Sequence, residues 1–384
     1  MRQATFKLKV ILLFSLLLPV LVKAGDSPAD SQAFDFKLPL GISRDVWTYF
    51  VPKDNPMTTE KVALGRELFF DKRLSADGSI SCAACHVPER AFTDGKPIAE
   101  VIGGRRGTRN SPTLLNAMFN TGQFWDGRAE SLEAQARLPL VNPDEMGSQP
   151  YEQIIARLHG DPDYVKKFER VFGSAITLDA VVKAIAAYER TLVAGNSPFD
   201  RYQAGDSNAL RSAARNGMIL FRGKARCNVC HTINQGFGAY PFLSDGNYRN
   251  TGVAASVPGF AVLSRRAMQV AGDFKPALLA ELSKQADSQL LGRFVVTGNT
   301  LDIGAFRTPS LRNVELTAPY FHDGSAATLA DVMKFYVKGG NENAFRDWQL
   351  EPVDLSEDEQ RDLIEFLRAL TSDEARRLVE AGAK

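Results

Sequence analysis

The four cysteines of this 384-residue chain occur in two copies of one short pattern. The sequence Cys-x-x-Cys-His is found at Cys82, Cys85 and His86, and again at Cys227, Cys230 and His231. This spacing is typical of c-type haem attachment, in which both thiols bond to the haem and the histidine is a proximal ligand to iron. The sequence therefore predicts two covalently bound c-type haems.

Paired cysteines also occur in zinc sites and in redox-active thiol motifs. Zinc ribbons close two such pairs within about 15–20 residues, whereas 141 residues separate Cys85 from Cys227. A redox-active pair is expected in a thioredoxin-like βαβ context, and this sequence lacks that pattern. Two haem sites are therefore favoured over both alternatives.

Residues 1–24 have the pattern of a secretory signal peptide. Arg2, Lys7 and Lys9 give a positively charged start, and an apolar run at 10–22 leads to small residues suited to cleavage. The apolar run is too short to span a bilayer comfortably. We expect a periplasmic protein without stable membrane insertion, and an uncleaved membrane anchor is the alternative.

The composition is that of an ordinary globular protein, with 44% hydrophobic and 24% charged residues. The chain is long enough for two domains with their own cores. After removal of the leader, 42 basic and 45 acidic side chains remain, which gives a net charge of −3. This balance argues against a nucleic-acid partner.

Each haem segment follows a predicted helix, at 58–70 and 209–221, and both helices contain Gly-x-x-Leu-Phe. Further helices are predicted at 151–172 with a break near 160–162, at 178–193, and after a capping box at 356–359. The polar stretch 196–208 is predicted to be a linker. We therefore predict an all-α fold with long ordered loops, in which two cytochrome c-like haem domains cover residues 25–205 and 206–384.

Four longer stretches carry a specific resemblance. They are Asn-Ser-Pro-Thr-Leu-Leu-Asn at 110–116, Gln-Phe-Trp-Asp-Gly-Arg at 123–128, Phe-Arg-Thr-Pro-Ser-Leu-Arg-Asn at 306–313, and Thr-Ala-Pro-Tyr-Phe-His-Asp-Gly at 317–324. Together with the haem segments, they make nearly the whole chain after the leader resemble the bacterial di-haem cytochrome c peroxidase family.

The resemblance implies roles for several single residues. The haem on His86 would react with hydrogen peroxide, and Trp125 would lie between the two haems. Gln135 and Glu145 would line the distal pocket. A carboxylate such as Glu145 can shuttle the proton that peroxide loses on binding and regains when its O–O bond breaks. Arg307 would contact a haem propionate.

The same resemblance implies one calcium ion between the haems, held by Asn110, Thr317 and Pro319. One side-chain oxygen and two backbone carbonyls, completed by water, suit a hard cation. His322 is expected to be a structural or propionate contact and not an iron ligand. Trp348 is expected to pack in the protein, with a role as an exit point for an oxidising hole as the alternative.

Two features depart from ordinary members of this family. Many of them carry a distal histidine before the Asn-x-Pro-Thr motif, but no histidine occurs here between His86 and His159. We therefore expect an open sixth position on the first iron. Where ordinary members place a methionine ligand to the second haem, this chain has Tyr336, as in the MauG/MbnH-like branch. Met333 lies on the same helical face, one turn earlier, and is the alternative ligand.

The ligand determines which function is expected. A thioether raises the haem potential, whereas a phenolate lowers it and stabilises oxidised states. With Tyr336, the resemblance implies a periplasmic enzyme that reacts with hydrogen peroxide and uses a high-valent di-haem state to oxidise residues of a partner protein. The alternatives are a cytochrome-c peroxidase supplied by a small cytochrome or cupredoxin, and a non-catalytic di-haem electron carrier.

Overall fold

The structure, a computed structural model, describes residues 34–233, 242–272, 276–285 and 287–382, so the predicted signal peptide at 1–24 lies outside the described residues. Within them, strand structure is limited to isolated bridges and one antiparallel pair, β1 (Tyr248–Arg249) and β2 (Phe306–Arg307). The predicted all-α fold is confirmed by fifteen helices: α1 Arg44–Tyr49, α2 Thr59–Phe70, α3 Cys82–Cys85, α4 Leu132–Arg137, α5 Tyr151–His159, α6 Pro162–Phe172, α7 Leu178–Glu189, α8 Pro198–Gln203, α9 Ser212–Arg222, α10 Phe260–Gly272, α11 Pro276–Ser283, α12 Phe294–Thr297, α13 Leu329–Val337, α14 Glu357–Arg368 and α15 Asp373–Gly382. No helix of the described part combines the length and the apolar character needed to cross a membrane.

The first half of the chain is built on the crossing of α2 and α7. Thr58 caps α2 by accepting a hydrogen bond from the Lys61 amide, so this helix begins where its sequence predicts. At the crossing, a Cβ on Gly65 would lie 1.8 Å from the Ala184 carbonyl oxygen, so only glycine permits this approach. The crossing buries Leu68, which contributes about 1.5–3 kcal/mol to the stability.

The second half repeats this arrangement with α9 and α14. A Cβ on Gly217 would lie 1.9 Å from the Asp362 carbonyl oxygen, which matches the contact made by the glycine of α2. The predicted capping box of α14 is present, with Ser356 and Glu359 exchanging both hydrogen bonds. The Gly-x-x-Leu-Phe repeat therefore marks two equivalent helix crossings, each placed before a haem segment.

The prediction of a polar linker at 196–208 is wrong. Ser197 and Asp200 form a capping box that starts α8, and Pro198 occupies its first position. The Asp200 carboxylate also forms a buried ion pair with Arg312, with oxygen–nitrogen distances of 2.6 and 2.8 Å. This segment is therefore a structured joint between the halves of the chain.

A second repeat lies in the loops 110–129 and 307–326, which have the same backbone shape. The shared features are left-handed residues at Asn116 and Asn313 and at Phe124 and Phe321, and antiparallel bridges between Gln123 and Ala129 and between Tyr320 and Ala326. In this alignment Trp125 corresponds to His322. The two halves therefore share a loop as well as a helix pair.

An insertion distinguishes the second half. Trp125 follows His86 by 39 positions, whereas the equivalent His322 follows His231 by 91 positions. The additional residues include α10, α11 and α12, which enclose a hydrophobic cluster of their own: Ala254, Phe260, Leu263, Ala267, Leu282, Leu291, Phe294, Ile303 and Phe306. This cluster lies beside the loop that carries Trp125.

Candidate functional site

A cavity of about 400 Å³ opens beside the first Cys-x-x-Cys-His segment. Cys82 and Cys85 are the ends of α3, and His86 follows this short helix directly. The Nδ1 atom of His86 lies 3.2 Å from the Phe92 carbonyl oxygen, so it can donate a hydrogen bond there. That bond fixes the ring and leaves Nε2 available for a metal. Burial lowers the pKa of His86, which favours the neutral, metal-binding imidazole.

A second cavity, of about 260 Å³, opens beside the second segment. Cys227, Cys230 and His231 line it, and the Nδ1 atom of His231 lies 2.8 Å from the Leu243 carbonyl oxygen. Burial also lowers the pKa of His231. The two histidines are therefore oriented by equivalent backbone contacts, each with its second nitrogen available.

The thiols themselves do not support the other readings of the cysteine pairs. No disulfide joins any of the four, and burial raises the pKa of Cys82, Cys85 and Cys227 to about 12 and that of Cys230 to about 11. Redox-active thiols need a lowered pKa. Across the described ranges, no group of three or more His, Cys, Asp or Glu residues is placed to hold a metal ion.

One wall belongs to both cavities. Its residues are Asn110, Ser111, Pro112, Thr113, Asn120, Trp125 and Arg307. The Trp125 indole N–H donates to the Asn110 carbonyl oxygen at 2.9 Å, which holds the ring within this wall. The side chain expected between two haems therefore lies between the two cavities.

The surroundings of Arg307 indicate whether these cavities suit an anionic cofactor. Its side chain is buried and donates to the Asn120 side-chain oxygen at 2.9 Å, but no carboxylate pairs with it in the part of the chain that the structure describes. Burial lowers the pKa of Arg307 to about 10. A buried charge without a counterion is costly. A cofactor with carboxylates, such as a haem with its propionates, would offset this cost.

The first cavity also contains groups suited to proton transfer. Gln135 comes from α4, and Glu145 follows a turn at Asn142, whose amide donates to the Glu145 carboxylate at 2.9 Å. The same carboxylate oxygen lies 3.8 Å from Arg128 Nη2. Burial raises the pKa of Glu145, against the opposing effects of Arg128 and Asn142. A carboxyl group with a raised pKa suits acid–base work near neutral pH.

The loop in which many relatives carry a distal histidine lies close to this acid. Gly103 and Gly104 both have φ near +68°, which makes the turn, and the Ile102 N–H donates to the Glu145 carbonyl oxygen at 3.0 Å. Val101 lines the cavity. Of the four histidines in the chain, only His86 lines the first cavity.

Both candidate ligands of the second iron line the second cavity. Tyr336 and Met333 lie on α13, with Met333 also packed in the core of the second half. Within the described residues, the Tyr336 hydroxyl makes no hydrogen bond, whereas the Tyr320 hydroxyl, which lines the same cavity, donates to the Val314 carbonyl oxygen at 3.1 Å. Burial raises the pKa of Tyr336. The phenol is therefore an unused oxygen donor at the cavity wall.

The three residues expected to hold calcium also meet at the second cavity. Asn110, Thr317 and Pro319 all line it. The Asn110 side-chain amide donates to the Lys96 carbonyl oxygen at 2.8 Å, which uses its nitrogen and leaves its oxygen for another partner. All three predicted calcium ligands therefore border the same cavity.

His322 is buried and takes part in the packing between the halves. Its ring stacks on Phe306, with 3.6 Å between ring centroids and an interplanar angle of 12°, and its carbonyl oxygen accepts from the Asn110 N–H at 2.9 Å. Burial, assisted by Arg109, lowers the pKa of His322 to about 3. Trp348, by contrast, is 80% exposed, so the expectation that it packs inside is wrong.

Two sets of buried charges were not predicted from the sequence. Asp126 accepts hydrogen bonds from Arg109 at 2.7 Å and from Arg128 at 3.1 Å. Glu189, at the end of α7, lines the first cavity, and burial raises its pKa to about 8. Asp126 and Arg128 belong to the motif at 123–128 and could have been considered with Trp125, but no pattern distinguishes Glu189.

The insertion of the second half completes the first cavity. Its contribution to the lining is Ser283, Ser288, Gln289 and Val295. Arg109 Nη2 donates to the Gln289 carbonyl oxygen at 3.0 Å, which attaches the insertion to the first half. The first cavity is therefore built from both halves of the chain.

These features define a helical protein with two haem attachment sites that share a wall. The family model for di-haem cytochrome c peroxidase matches residues 59–208. The methylamine utilization protein MauG of Methylorubrum extorquens is 37% identical over 326 residues, which cover 84% of this chain and 82% of that protein. The cytochrome-c peroxidase IdrP1 of Pseudomonas sp. strain SCT is 39% identical over 332 residues, which cover 84% of each chain.

A solved structure gives the same result at the level of the fold. The crystal structure of a MauG-like protein associated with microbial copper homeostasis has a TM-score of 0.72 and 33% sequence identity, and the match covers 89% of this chain and 96% of that one. The chain belongs to the di-haem cytochrome c peroxidase family. It is a peroxidase-type oxidoreductase with two c-type haems, as its motifs predict.

Proposed function

We propose that this chain is a periplasmic enzyme that reacts with hydrogen peroxide and, in the manner of MauG, oxidises residues of a partner protein. The observation that carries this proposal is the Tyr336 hydroxyl, which lines the second cavity without a hydrogen-bond partner among the described residues. An anionic oxygen ligand lowers the haem potential and stabilises oxidised states. Such a ligand suits an enzyme that stores oxidising power for a slow reaction with a protein.

Two bound haems would supply the redox chemistry, and the four cysteines, His86, His231 and Tyr336 would hold them. At the first site, the Glu145 carboxylate accepts a proton from hydrogen peroxide and later returns it to the leaving oxygen. The Gln135 amide faces the same space and can orient the substrate by hydrogen bonding. Trp125 is fixed in the shared wall, which is the position that an electron relay between the sites requires.

We also propose that the first site accepts peroxide without prior reduction of the protein. The support is the loop around Gly103 and Gly104, which contributes no histidine and is attached to the Glu145 segment by a backbone hydrogen bond. A site without a displaceable protein ligand needs no rearrangement before substrate binds. The fully oxidised protein should therefore react at once.

A second candidate function is a cytochrome-c peroxidase that reduces hydrogen peroxide to water with electrons from a small cytochrome or cupredoxin. Met333 favours this candidate, because it lines the second cavity beside Tyr336 and its thioether would raise the haem potential. The similarity to IdrP1, at 39% identity, supports it as well. A non-catalytic carrier is the least favoured role, because the family is one of enzymes.

Three further assignments belong to the same proposal. Residues 1–24 act as a cleaved signal peptide that brings the chain to the periplasm. The haem domains extend over 25–205 and 206–384, each organised around one of the two helix crossings. One calcium ion is held at the second cavity by Asn110, Thr317 and Pro319, all of which line it.

The central test adds hydrogen peroxide to the purified, fully oxidised protein and follows its absorption spectrum. A rapid spectral change followed by a change in the mass of a co-expressed partner protein supports the MauG-like function. Rapid oxidation of a small reduced cytochrome, with no change in partner mass, supports the cytochrome-c peroxidase instead. A spectrum unaltered by peroxide contradicts both.

A further inference from the structure

Arg128 occupies a position in the first cavity that the roles above do not use. It belongs to the loop that carries Trp125, and its side chain is one-third exposed and lines the cavity. The Nη2 atom lies 3.8 Å from the Glu145 carboxylate oxygen, which is longer than a hydrogen bond. A single small molecule beside this pair can form a hydrogen bond with each of the two atoms.

The guanidinium group is held rigidly from two sides. Its Nη1 atom donates to both carboxylate oxygens of Asp126 at 3.1 Å. Its carbon lies 3.5 Å from the centroid of the Phe124 ring, and Phe124 has a left-handed backbone with φ of 65°. The remaining donors, on Nη2 and Nε, make no hydrogen bond within the described residues. The plane of the group is therefore fixed while part of its donor capacity remains unused.

The surrounding charges favour an anion at this point. Two cations, Arg109 and Arg128, share the single carboxylate of Asp126, which is 2% exposed. Burial by itself would raise the pKa of Asp126, but the two guanidinium groups outweigh it and lower the pKa below its usual value, so the group stays ionised. Arg109, Arg128, Asp126 and ionised Glu145 together carry no net charge. When Glu145 takes up a proton, these four groups are left with one positive charge. That change occurs at the moment when the substrate becomes negative.

We propose that Arg128 is the anion-binding residue of the first cavity. The step is a proton transfer in which hydrogen peroxide and the Glu145 carboxylate give the hydroperoxide anion and the neutral carboxylic acid. The anion then lies against Nη2 and Nε of Arg128, on the cavity side of the acid and the cation. This role rests on the proposed reaction with peroxide, and it adds the group that receives the negative charge.

The test measures binding of a small anion and a neutral ligand, without peroxide. Fluoride and imidazole are titrated separately into the oxidised di-haem protein, and their dissociation constants are read from the absorption spectrum. In Arg128→Met, the affinity for fluoride should fall about 10- to 100-fold, the range expected for losing hydrogen bonds from a charged donor. The affinity for imidazole should change less than about 3-fold, because a neutral ligand does not need the cation.

Three further variants complete the comparison. Arg128→Lys keeps the charge and should retain most of the affinity for fluoride. Arg106→Met removes an exposed arginine that does not line the first cavity and should leave both constants unchanged. Arg128→Gln keeps an amide donor for Asp126 and gives the same anion test if Arg128→Met does not fold. Haem content is measured for every variant, so that loss of cofactor is separated from loss of affinity.

The outcomes are distinct. Unchanged fluoride affinity in the neutral variants of Arg128, with both haems present, overturns the proposal. An equal loss for fluoride and imidazole overturns it as well, because it shows that Arg128 only maintains the shape of the cavity. A wild-type protein that binds neither probe has a closed first site, which contradicts the proposed function and the role of Arg128 together. Normal fluoride selectivity in a protein inert to peroxide contradicts the proposed function alone.

Discussion

Replacement of Glu145 by glutamine tests the proton-transfer role at the first site. The amide keeps the size of the side chain, and its oxygen can still accept the hydrogen bond from Asn142 at 2.9 Å. The change therefore removes the transferable proton and the charge with little change in shape. A positioned acid–base group contributes about 10²- to 10⁴-fold, which equals about 3–5 kcal/mol of activation free energy at 1.36 kcal/mol per tenfold. The second-order rate constant for hydrogen peroxide should fall by that factor.

The pH dependence of this rate constant tests the same role independently. Burial raises the pKa of Glu145 above the usual range for a glutamic acid. As the base, Glu145 must be ionised, so the rate constant of the wild-type protein should decrease as the pH falls through this raised pKa. The glutamine variant has no such group and should show a flat profile in the same interval.

Stopped-flow absorbance of the oxidised protein mixed with excess peroxide measures these rate constants. Glu100→Gln is the matched control. It removes one exposed carboxylate just before the Gly103–Gly104 loop, where Glu100 pairs with Lys96. The control should react like the wild-type protein. A glutamine variant of Glu145 that retains more than a tenth of the wild-type rate constant, with an unchanged pH profile, would refute the reasoning.

Three further predictions follow from the structure. Tyr336→Phe should alter the low-spin absorption of the second haem and raise its potential in a redox titration; if Met333→Leu has this effect and Tyr336→Phe does not, the ligand is one helical turn away. Asp200→Ala should lower the free energy of unfolding in urea by about 3–5 kcal/mol, because it leaves the buried Arg312 guanidinium without this carboxylate; a loss below about 1 kcal/mol would count against the importance of the pair. Asn110→Ala should reduce the calcium measured by elemental analysis after dialysis from about one ion per chain to less than half; an equal content in both proteins would remove Asn110 from the site.

The haem segments were readable from the sequence because covalent attachment fixes both residue type and spacing. The helix starts were readable for a similar local reason, as at Thr58 and Ser356, where a side chain satisfies the first free N–H groups. The halves of the fold could be aligned through Gly65 and Gly217, because close helix crossings exclude other residues. These signals are short-range and survive without knowledge of the tertiary structure.

The errors have long-range causes. Asp200 and its neighbours read as a polar linker because the buried partner, Arg312, lies 112 residues later. Trp348 is predicted to pack in the protein, but the fold leaves it exposed. Glu189 sits in an apolar helix whose cavity-facing side only the packed structure defines. Packing between distant segments decides which charges pair and which side chains are exposed. No local sequence pattern therefore predicts them.

The insertion in the second half lines part of the first cavity, so the two halves of this enzyme cannot be separated without opening that cavity. Gln289 and its neighbours belong to the second half of the chain but face the substrate space of the first. An amino-terminal fragment that kept its own haem would therefore leave this space open to bulk water. The halves resemble duplicated cytochromes, yet neither is a self-sufficient module. In a chimaera made from two relatives, the residues on both sides of this contact would have to come from the same parent.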